Sequence, residues 1–387
     1  MNHLQHSQKM HQQVVPTTLQ PEHLFNVISI TDDAININAQ TPYSAIIHLF
    51  TTFVIMDMER DYKLDTAKGV MILLVVLGHF IEVSAGWNSV YGNAIMEVIF
   101  MVHMPAFIFM AGMTFNRNKW KIRTLQILTL YVFLQVVYSS FFLLNGTMSI
   151  YEFILKPYWL LWFLVSLASF YVICGILNPG YKSLISFSMC SCLVGYASIS
   201  SYEMSWVRTI VFLPFFVSGY LCKTTSSVIF AKKKILIPLS VIAIALTITY
   251  QVGYKLWFGV YRFDEMGYGL IDGPLNRLFA LACSISLTLS VISLMPKKDN
   301  IIAMAGRKSL SIYAYHGFSV IVVGKIISMY FPSVNEITLI AFSIALTLFT
   351  SAVICLLPLE SLTRKVMDLP LKIKASTKPM KDINIKQ

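Results

Sequence analysis

A lysine and a histidine lie in the first strongly apolar segment of the chain. Lys68 and His79 are eleven residues apart, which on a helix of about 3.6 residues per turn is close to three whole turns, so both side chains lie on one face. His79 would lie about 16 Å deeper than the lysine, near the middle of a bilayer. A titratable side chain at that depth is costly to bury and is typical of a functional site.

A carboxylate follows this histidine three residues later. Glu82 can approach the face of the helix that carries His79. A carboxylate that accepts a hydrogen bond from one ring nitrogen fixes the tautomer and leaves the other nitrogen free to act as a general base. The alternative for Glu82 is an acid at the membrane interface that faces water.

A second histidine occupies the middle of the next apolar segment. His103 is followed by Pro105, which cannot donate a backbone hydrogen bond and frees a carbonyl within the helix. Inside a membrane, such a carbonyl is tolerated where protein or water satisfies it. Two histidines at similar depth on neighbouring helices therefore predict a polar cavity. Glu97 either lines the outer entrance of this cavity or faces water.

Another histidine lies inside a later apolar segment, and three cations lie at the ends of such segments. His316 is about two turns into a later apolar segment, where it either bonds a facing helix or takes part in chemistry. Lys68, Arg123 and Arg307 stand at the ends of apolar segments. Cations at such ends orient a membrane protein, and they could also hold the phosphates of a ligand that enters the bundle.

The composition indicates an integral membrane protein. Of the 387 residues, 56% are hydrophobic and 13% are charged, and the mean hydropathy is +0.66. The net charge of +11 comes from short basic clusters between apolar segments, which the positive-inside rule explains better than nucleic-acid binding. The expected partner is therefore a lipid bilayer and not nucleic acid. The six cysteines show no metal-type spacing, so neither a metal site nor disulfides are expected.

Ten apolar stretches are long enough, or nearly so, to cross a membrane as helices. The two shortest, 183–199 and 206–222, could instead be re-entrant or tilted. Loops rich in lysine and arginine alternate with loops that hold few, which predicts an even number of spans with both termini cytoplasmic. The predicted fold class is all-α, a polytopic transmembrane helical bundle with about ten spans at 69–86, 92–115, 123–145, 158–178, 183–199, 206–222, 234–251, 275–295, 308–330 and 336–358.

The chain divides into three predicted regions. Residues 1–57 are polar and carry scattered histidines, which predicts a disordered extension rather than a metal site or a secretory signal. Met56 or Met58 would be an alternative native start. Residues 58–360 hold all the predicted spans, and residues 361–387 form a basic, cytoplasmic tail.

Several motifs resemble those of one family of membrane enzymes. Lys68, ten intervening residues and His79 resemble the opening helix of the acyltransferase-3 family of membrane O-acyltransferases. His103-Met104-Pro105 is similar to the second-helix motif of the branch typified by fucose 4-O-acetylase. Lys68 stands where arginine is common, and of two arginines expected early in the third helix only Arg123 is present. Later segments, at 161–164, 212–220 and 309–316, resemble family landmarks in the expected order.

This resemblance implies a ten-helix O-acetyltransferase over residues 58–360, in the plasma or inner membrane. It would move acetyl from cytoplasmic acetyl-CoA to a hydroxyl of a surface or cell-envelope glycan, without a metal. His79 would be the general base, oriented by Glu82 or His103. Lys68, Arg123 and Arg307 would bind the phosphates of acetyl-CoA. Direct transfer and an acyl-histidine intermediate both stay open.

Two further alternatives concern the acceptor and the function itself. The loop 252–274 is rich in aromatic and acidic residues, which is typical of a sugar-binding surface or of an interfacial aromatic belt. The rival function is a transporter or flippase, in which intramembrane histidine and glutamate would form a proton relay. The sequence shows no inverted repeat of the kind that many transporters have.

Overall fold

The computed structural model describes residues 60–197, 202–250, 252–331 and 333–376. The predicted extension 1–57 therefore lies outside the described residues. Within the described residues the secondary structure is helical, with short 3-10 turns between some helices. The α-helices are α1 Tyr62–Ser84, α2 Val90–Met113, α3 Trp120–Leu144, α4 Ile150–Leu155, α5 Trp162–Leu177, α6 Tyr181–Leu193, α7 Trp206–Cys222, α8 Ser226–Ala231, α9 Lys233–Tyr250, α10 Tyr254–Phe258, α11 Asp272–Leu294, α12 Ile301–Arg307, α13 Ser309–Tyr330, α14 Glu336–Leu356, α15 Leu359–Met367 and α16 Leu369–Ser376.

Nine helices within the described residues are long and apolar enough to cross a membrane. This confirms the predicted polytopic helical bundle. The predicted span 183–199 differs, because α6 has only 13 residues before a 3-10 turn begins. It still joins the two ends of the bundle. Before α6, Asn178 accepts a hydrogen bond from Tyr220 near the end of α7, and after α6, Tyr196 donates to the carbonyl of Leu270 before α11.

The two ends of the bundle carry different loops. At one end, Arg117 donates to the carbonyl of Gly175 at the end of α5, and Asn300 donates to Thr66 near the start of α1. The loops here hold the predicted basic clusters, and we call this the basic end. At the opposite end, Trp87 from the loop after α1 stacks on Tyr254 of α10, with ring centroids 4.2 Å apart.

Glycines allow α2 and α7 to touch through their backbones. A Cβ at Gly112 would lie 2.0 Å from the carbonyl oxygen of Phe216, and a Cβ at Gly219 would lie 1.9 Å from that of Phe109. Small residues permit such approach between membrane helices. Pro105 is accommodated within α2, which continues to Met113. The contact fixes the helix that carries His103 against α7.

The first part of the predicted tail is folded. Residues 361–376 belong to α15 and α16. Gln126 of α3 donates to Asp368 between these two helices, at 2.8 Å, and Thr363 of α15 is 1% exposed. α15 thus packs on the bundle, and residues 377–387 lie outside the described residues.

Candidate active site

His79 and Glu82 form a hydrogen-bonded pair on α1. The distance from His79 Nδ1 to Glu82 Oε2 is 3.0 Å, as the three-residue spacing on one helix predicts. Because an ionised carboxylate only accepts hydrogen bonds, Nδ1 carries the ring hydrogen. In the neutral ring, Nε2 then keeps its lone pair and can accept a proton. The pair therefore has the arrangement of an oriented general base.

Three other rings hold the His79 imidazole in place. Its centroid lies 4.6 Å from Trp159, 5.5 Å from His316 and 6.3 Å from Phe100. Trp159 has a φ of 28°, a conformation that costs a non-glycine residue free energy and that persists where the surrounding structure imposes it. This turn presents the indole to His79.

His103 and His316 are each bonded to their own helix. His103 Nδ1 donates to the carbonyl of Ile99 at 2.6 Å. His316 Nδ1 lies within 3.0 Å of the carbonyls of Ile312 and Tyr313, and its Nε2 is buried without a partner among the described residues. Since carbonyls only accept, both rings carry their hydrogen on Nδ1 and present an unprotonated Nε2.

The structure places His103 near His79, but not in the predicted position from which it could orient the His79 ring. Both histidines line one cavity, yet no hydrogen bond joins them among the described residues, and Phe100 contacts both rings. Among the described residues, the hydrogen bond of His79 is to Glu82. Of the two predicted orienting groups, the structure favours Glu82, and it adds His316 as a ring stacked on His79.

Two cavities share part of their lining, and His79 lines the inner one. The inner cavity, of about 50 Å³, is lined by Val75, His79, Phe100, His103, Met104, Trp159, Leu160, Trp162, Arg208, Phe212, Trp257, Phe258 and Tyr313. The vestibule, of about 530 Å³, is at the end opposite the basic end and is lined by Glu82, Trp87, Thr147, Met148, Glu152, Lys156, Pro157, Tyr158, Trp159, Tyr202, Ser205, Arg208, Tyr254, Phe258 and Tyr261. Trp159, Arg208 and Phe258 line both cavities, and we call these three residues the neck.

Arg208 is the site residue that the sequence analysis missed. It lies in α7, is 8% exposed and donates from Nε to the carbonyl of Phe258 at 3.1 Å. The sequence did contain a signal for Arg208. A charged residue near the start of a predicted span costs free energy to bury unless it faces a polar cavity. What the sequence did not give was the direction of the side chain.

Glu97 is buried at 5% exposure and accepts a hydrogen bond from Asn93 at 3.3 Å. It lines neither the vestibule nor the inner cavity. Both predicted positions for this residue, at the entrance and facing water, are therefore wrong. The reason is the spacing along α2, because six residues place Glu97 about 120° around the helix from His103.

Two of the three predicted cofactor-binding cations are neighbours at the basic end. Lys68 Nζ lies 3.9 Å from Asp65, and Arg307 donates to Asp299 at 2.7 Å, a hydrogen bond that raises the pKa of the Arg307 guanidinium. A Cβ at Gly306 would lie 1.8 Å from the carbonyl oxygen of Asp65. α12 therefore lies directly on α1, and the two cations share one surface.

Arg123 lies elsewhere on this end of the molecule. It donates to Gln126 at 3.2 Å, and Gln126 in turn donates to Asp368. These contacts connect Arg123 to the junction of α15 and α16. Lys68 and Arg307 are thus brought together, and Arg123 belongs to a different group of contacts.

Comparison with known proteins gives one match. A family model described as an acyltransferase domain matches residues 61–356. These residues run from the start of α1 to the end of α14 and contain both cavities and the three histidines. None of the curated proteins and none of the solved structures matches the chain.

Proposed function

Because the chain belongs to the acyltransferase-3 family, whose acyltransferase domain it carries over residues 61–356, we propose that it transfers acetyl from cytoplasmic acetyl-CoA to a hydroxyl of a surface or cell-envelope glycan. This match confirms the predicted family and the predicted acyltransferase activity. The nine long apolar helices of the described residues support the prediction of a multi-pass membrane protein. The donor, the acceptor, the plasma or inner membrane location and the likeness to the fucose 4-O-acetylase branch are parts of the proposal.

The observation that carries the proposal is the His79–Glu82 pair, in which Glu82 lines the vestibule and His79 lines the inner cavity. The hydrogen bond of 3.0 Å leaves Nε2 of His79 as the acceptor for a proton. A hydroxyl group that enters through the vestibule would reach this nitrogen from the end opposite the basic clusters. Acyl transfer needs such a base held in a fixed orientation, with both substrates close to it.

The reaction can be written with His79 as the single proton carrier. As the acceptor oxygen attacks the acetyl carbonyl carbon, its proton moves to Nε2 of His79, and the resulting imidazolium is stabilised by Glu82. The tetrahedral intermediate then expels the CoA thiolate, which takes the proton back from Nε2. The base is regenerated, and no acyl-enzyme is required.

The cations at the basic end would hold the donor. Lys68 and Arg307 lie on one surface where α12 packs on α1, and each now has a carboxylate neighbour that a phosphate could replace. On α1, Lys68 is about 16 Å from His79 along the helix axis. The long, thin pantetheine arm of CoA suits this separation. Lysine would act as a point charge, without the bidentate geometry of arginine.

The vestibule has the lining of a sugar-binding site. Trp87, Tyr158, Tyr254 and Tyr261 contribute aromatic rings to its wall, and such rings offer an apolar face and a polar tip. Burial raises the pKa of Tyr261 to about 12, with Tyr202 adding to the effect, so its hydroxyl stays protonated and can donate. Three aromatic residues of the loop 252–274, Tyr254, Phe258 and Tyr261, line this cavity, which favours the sugar-binding surface over the aromatic belt.

The test is acetyl transfer by the purified full-length protein in lipid nanodiscs. Acetyl-CoA labelled in the acetyl group is supplied with envelope glycan from a strain that lacks this protein, and labelled glycan and released CoA are measured. We expect His79→Ala to abolish transfer while the protein retains its melting temperature. Transfer at the normal rate by this variant would remove His79 as the base. Movement of a solute without any need for acetyl-CoA would favour the transporter instead.

A further inference from the structure

A buried cation lines both cavities and takes no part in the proton transfer between the acceptor hydroxyl and His79. Arg208 is 8% exposed, and it lines both the inner cavity and the vestibule. His79 lines the inner cavity as well. A small group bound at the neck would therefore contact the base on one side and the guanidinium on the other.

The guanidinium is held in one orientation but keeps unused donors. Nε donates to the carbonyl of Phe258 at 3.1 Å, and the charged group lies 4.9 Å from the ring centroid of Trp162. No other hydrogen bond of Arg208 is found among the described residues, so both Nη atoms retain their hydrogens for a ligand. Neither Nη atom is among the buried donors that lack a partner, so both face accessible space, where an oxygen that carries negative charge can reach them.

No carboxylate of the vestibule is hydrogen-bonded to Arg208 among the described residues, although Glu82 attracts it electrostatically. Glu152 is paired with Lys156 at 3.1 Å, and Glu82 is bonded to His79. Two carboxylates and two cations line the vestibule, so their formal charges cancel. The vestibule as a whole therefore does not select an anionic acceptor. Because the charges present before the reaction cancel, this balance favours a role in which Arg208 stabilises negative charge that forms only during the reaction.

We propose that the Nη atoms of Arg208 bind the oxyanion that develops on the acetyl carbonyl oxygen during transfer. The inference rests on the proposed function and adds the group that stabilises its intermediate. When the acceptor oxygen forms its bond to the carbonyl carbon, the π electron pair moves onto the carbonyl oxygen, and the proton goes to His79. When the pair returns, the bond to sulfur breaks. Arg208 exchanges no proton, and it stabilises the negative oxygen through fixed donors.

A second buried arginine shows what a purely structural role for Arg208 would look like. Arg277 of α11 is 2% exposed and donates to the carbonyl of Leu256 at 2.7 Å. Both arginines thus bond carbonyls of α10. Arg277, however, lines neither the inner cavity nor the vestibule. If Arg208 only anchored α10, its loss would destabilise the protein and weaken substrate binding, whereas loss of an oxyanion donor lowers kcat alone.

The first experiment distinguishes an Arg208 that only anchors α10 from an Arg208 that stabilises the oxyanion. Arg208→Gln and Arg208→Lys are compared with the wild type in the same transfer assay. We expect Arg208→Gln to lower kcat by about 10²–10³ with the KM for acetyl-CoA nearly unchanged, and Arg208→Lys to retain part of the rate. Binding of S-acetonyl-CoA, a ketone analogue that does not transfer its group, should be the same in all three proteins, because it develops no oxyanion.

The matched control is Arg262→Gln. Arg262 lies at the same end of the molecule in an ion pair with Asp264, and it lines neither cavity. This variant should transfer acetyl at the wild-type rate. A second measurement uses Arg208→Ala with added guanidinium ion, which we expect to restore part of kcat in a saturable manner, since the removed side chain leaves space at an open neck.

The inference is overturned if Arg208→Gln keeps kcat within threefold, or if its defect is a lower melting temperature with loss of S-acetonyl-CoA binding and no response of Arg208→Ala to guanidinium. The failure of the proposed function looks different. In that case the wild type itself would release no CoA and transfer no label, whatever residue stands at 208.

Discussion

His316 lies face to face with His79, with ring centroids 5.5 Å apart and ring planes 23° apart. The two residues come from α1 and α13, and the sequence separates them by most of the domain. His316 is fully buried and bonded to its own helix through Nδ1. It therefore acts on His79 as a rigid surface that limits tilting of the imidazole, and we regard it as a positioning residue.

This stacking leads to a prediction for two variants of His316. Phenylalanine keeps a flat ring against His79, whereas alanine leaves a void. We expect His316→Phe to retain most of the transfer rate. His316→Ala should lower kcat and destabilise the protein by about 2–5 kcal/mol, as other large-to-small changes at buried sites do. Steady-state kinetics and thermal unfolding in nanodiscs provide the measurements. Complete loss of transfer in a stable His316→Phe variant would instead assign a direct role to its Nε2.

Glu82→Gln tests the orienting carboxylate. Glutamine can still accept a hydrogen bond from His79, but it cannot stabilise the imidazolium with a negative charge, and its amide can favour the wrong tautomer. Loss of the carboxylate in a serine protease triad lowers kcat by about 10⁴, so we expect a fall of about 10²–10⁴ here, with little change in the KM for acetyl-CoA.

Glu97→Gln is the matched control for this measurement. Glu97 is a buried glutamate on the neighbouring helix that lines neither cavity, so its substitution should leave kcat unchanged. If Glu82→Gln and Glu97→Gln behaved alike, the hydrogen bond from His79 to Glu82 would have no part in catalysis.

The sequence predicted the helices and the His79–Glu82 pair because both depend on near neighbours. Apolar stretches are continuous in sequence, and a separation of three residues on one helix sets the distance between the two side chains. The exception among the helices, α6, contains Ser183, Ser186 and Ser188, which interrupt its apolar character. The helix ends at Leu193, where a 3-10 turn begins, before the predicted boundary of that span.

The remainder of the site depends on the rotation and contact of helices that are far apart in sequence. Arg208 reaches the neck because α7 lies against α2 at Gly112 and Gly219. His316 reaches His79 because α13 packs on α1. No pattern within either helix specifies these partners. Glu97 differs from these two residues, because its six-residue separation from His103 on α2 already places it about 120° away around the helix.

The cations at the basic end can be assigned to parts of the donor. We expect Lys68→Ala and Arg307→Ala each to raise the KM for acetyl-CoA by about tenfold or more, because a charge-assisted bond to a phosphate would be lost. Acetyl-dephospho-CoA, which lacks the 3′-phosphate, identifies the contact. A variant that lacks the residue that binds the 3′-phosphate should have the same KM for acetyl-CoA and for acetyl-dephospho-CoA.

Lys365→Ala provides the comparison for these variants, since Lys365 is an exposed cation on α15 outside the surface shared by α1 and α12. Its KM for both donors should match that of the wild type. Equal KM values for acetyl-CoA in Lys68→Ala, Arg307→Ala and the wild type would show that neither cation contacts the donor. Arg123→Ala, in its separate group of contacts, indicates whether the phosphates extend toward α15.

The contact between α12 and α1 should control donor binding without touching the donor. A Cβ at Gly306 would lie 1.8 Å from the carbonyl oxygen of Asp65, a backbone atom that cannot move away cheaply. Gly306→Ala must therefore displace α12 and carry Arg307 away from Lys68. We expect a higher KM for acetyl-CoA and a lower melting temperature, while transfer at saturating donor stays near normal because His79 and Glu82 are far along α1. Gly180→Ala is the control, since nothing lies within 4 Å of a Cβ there. An unchanged KM in Gly306→Ala would mean that the spacing of Lys68 and Arg307 does not matter for the donor.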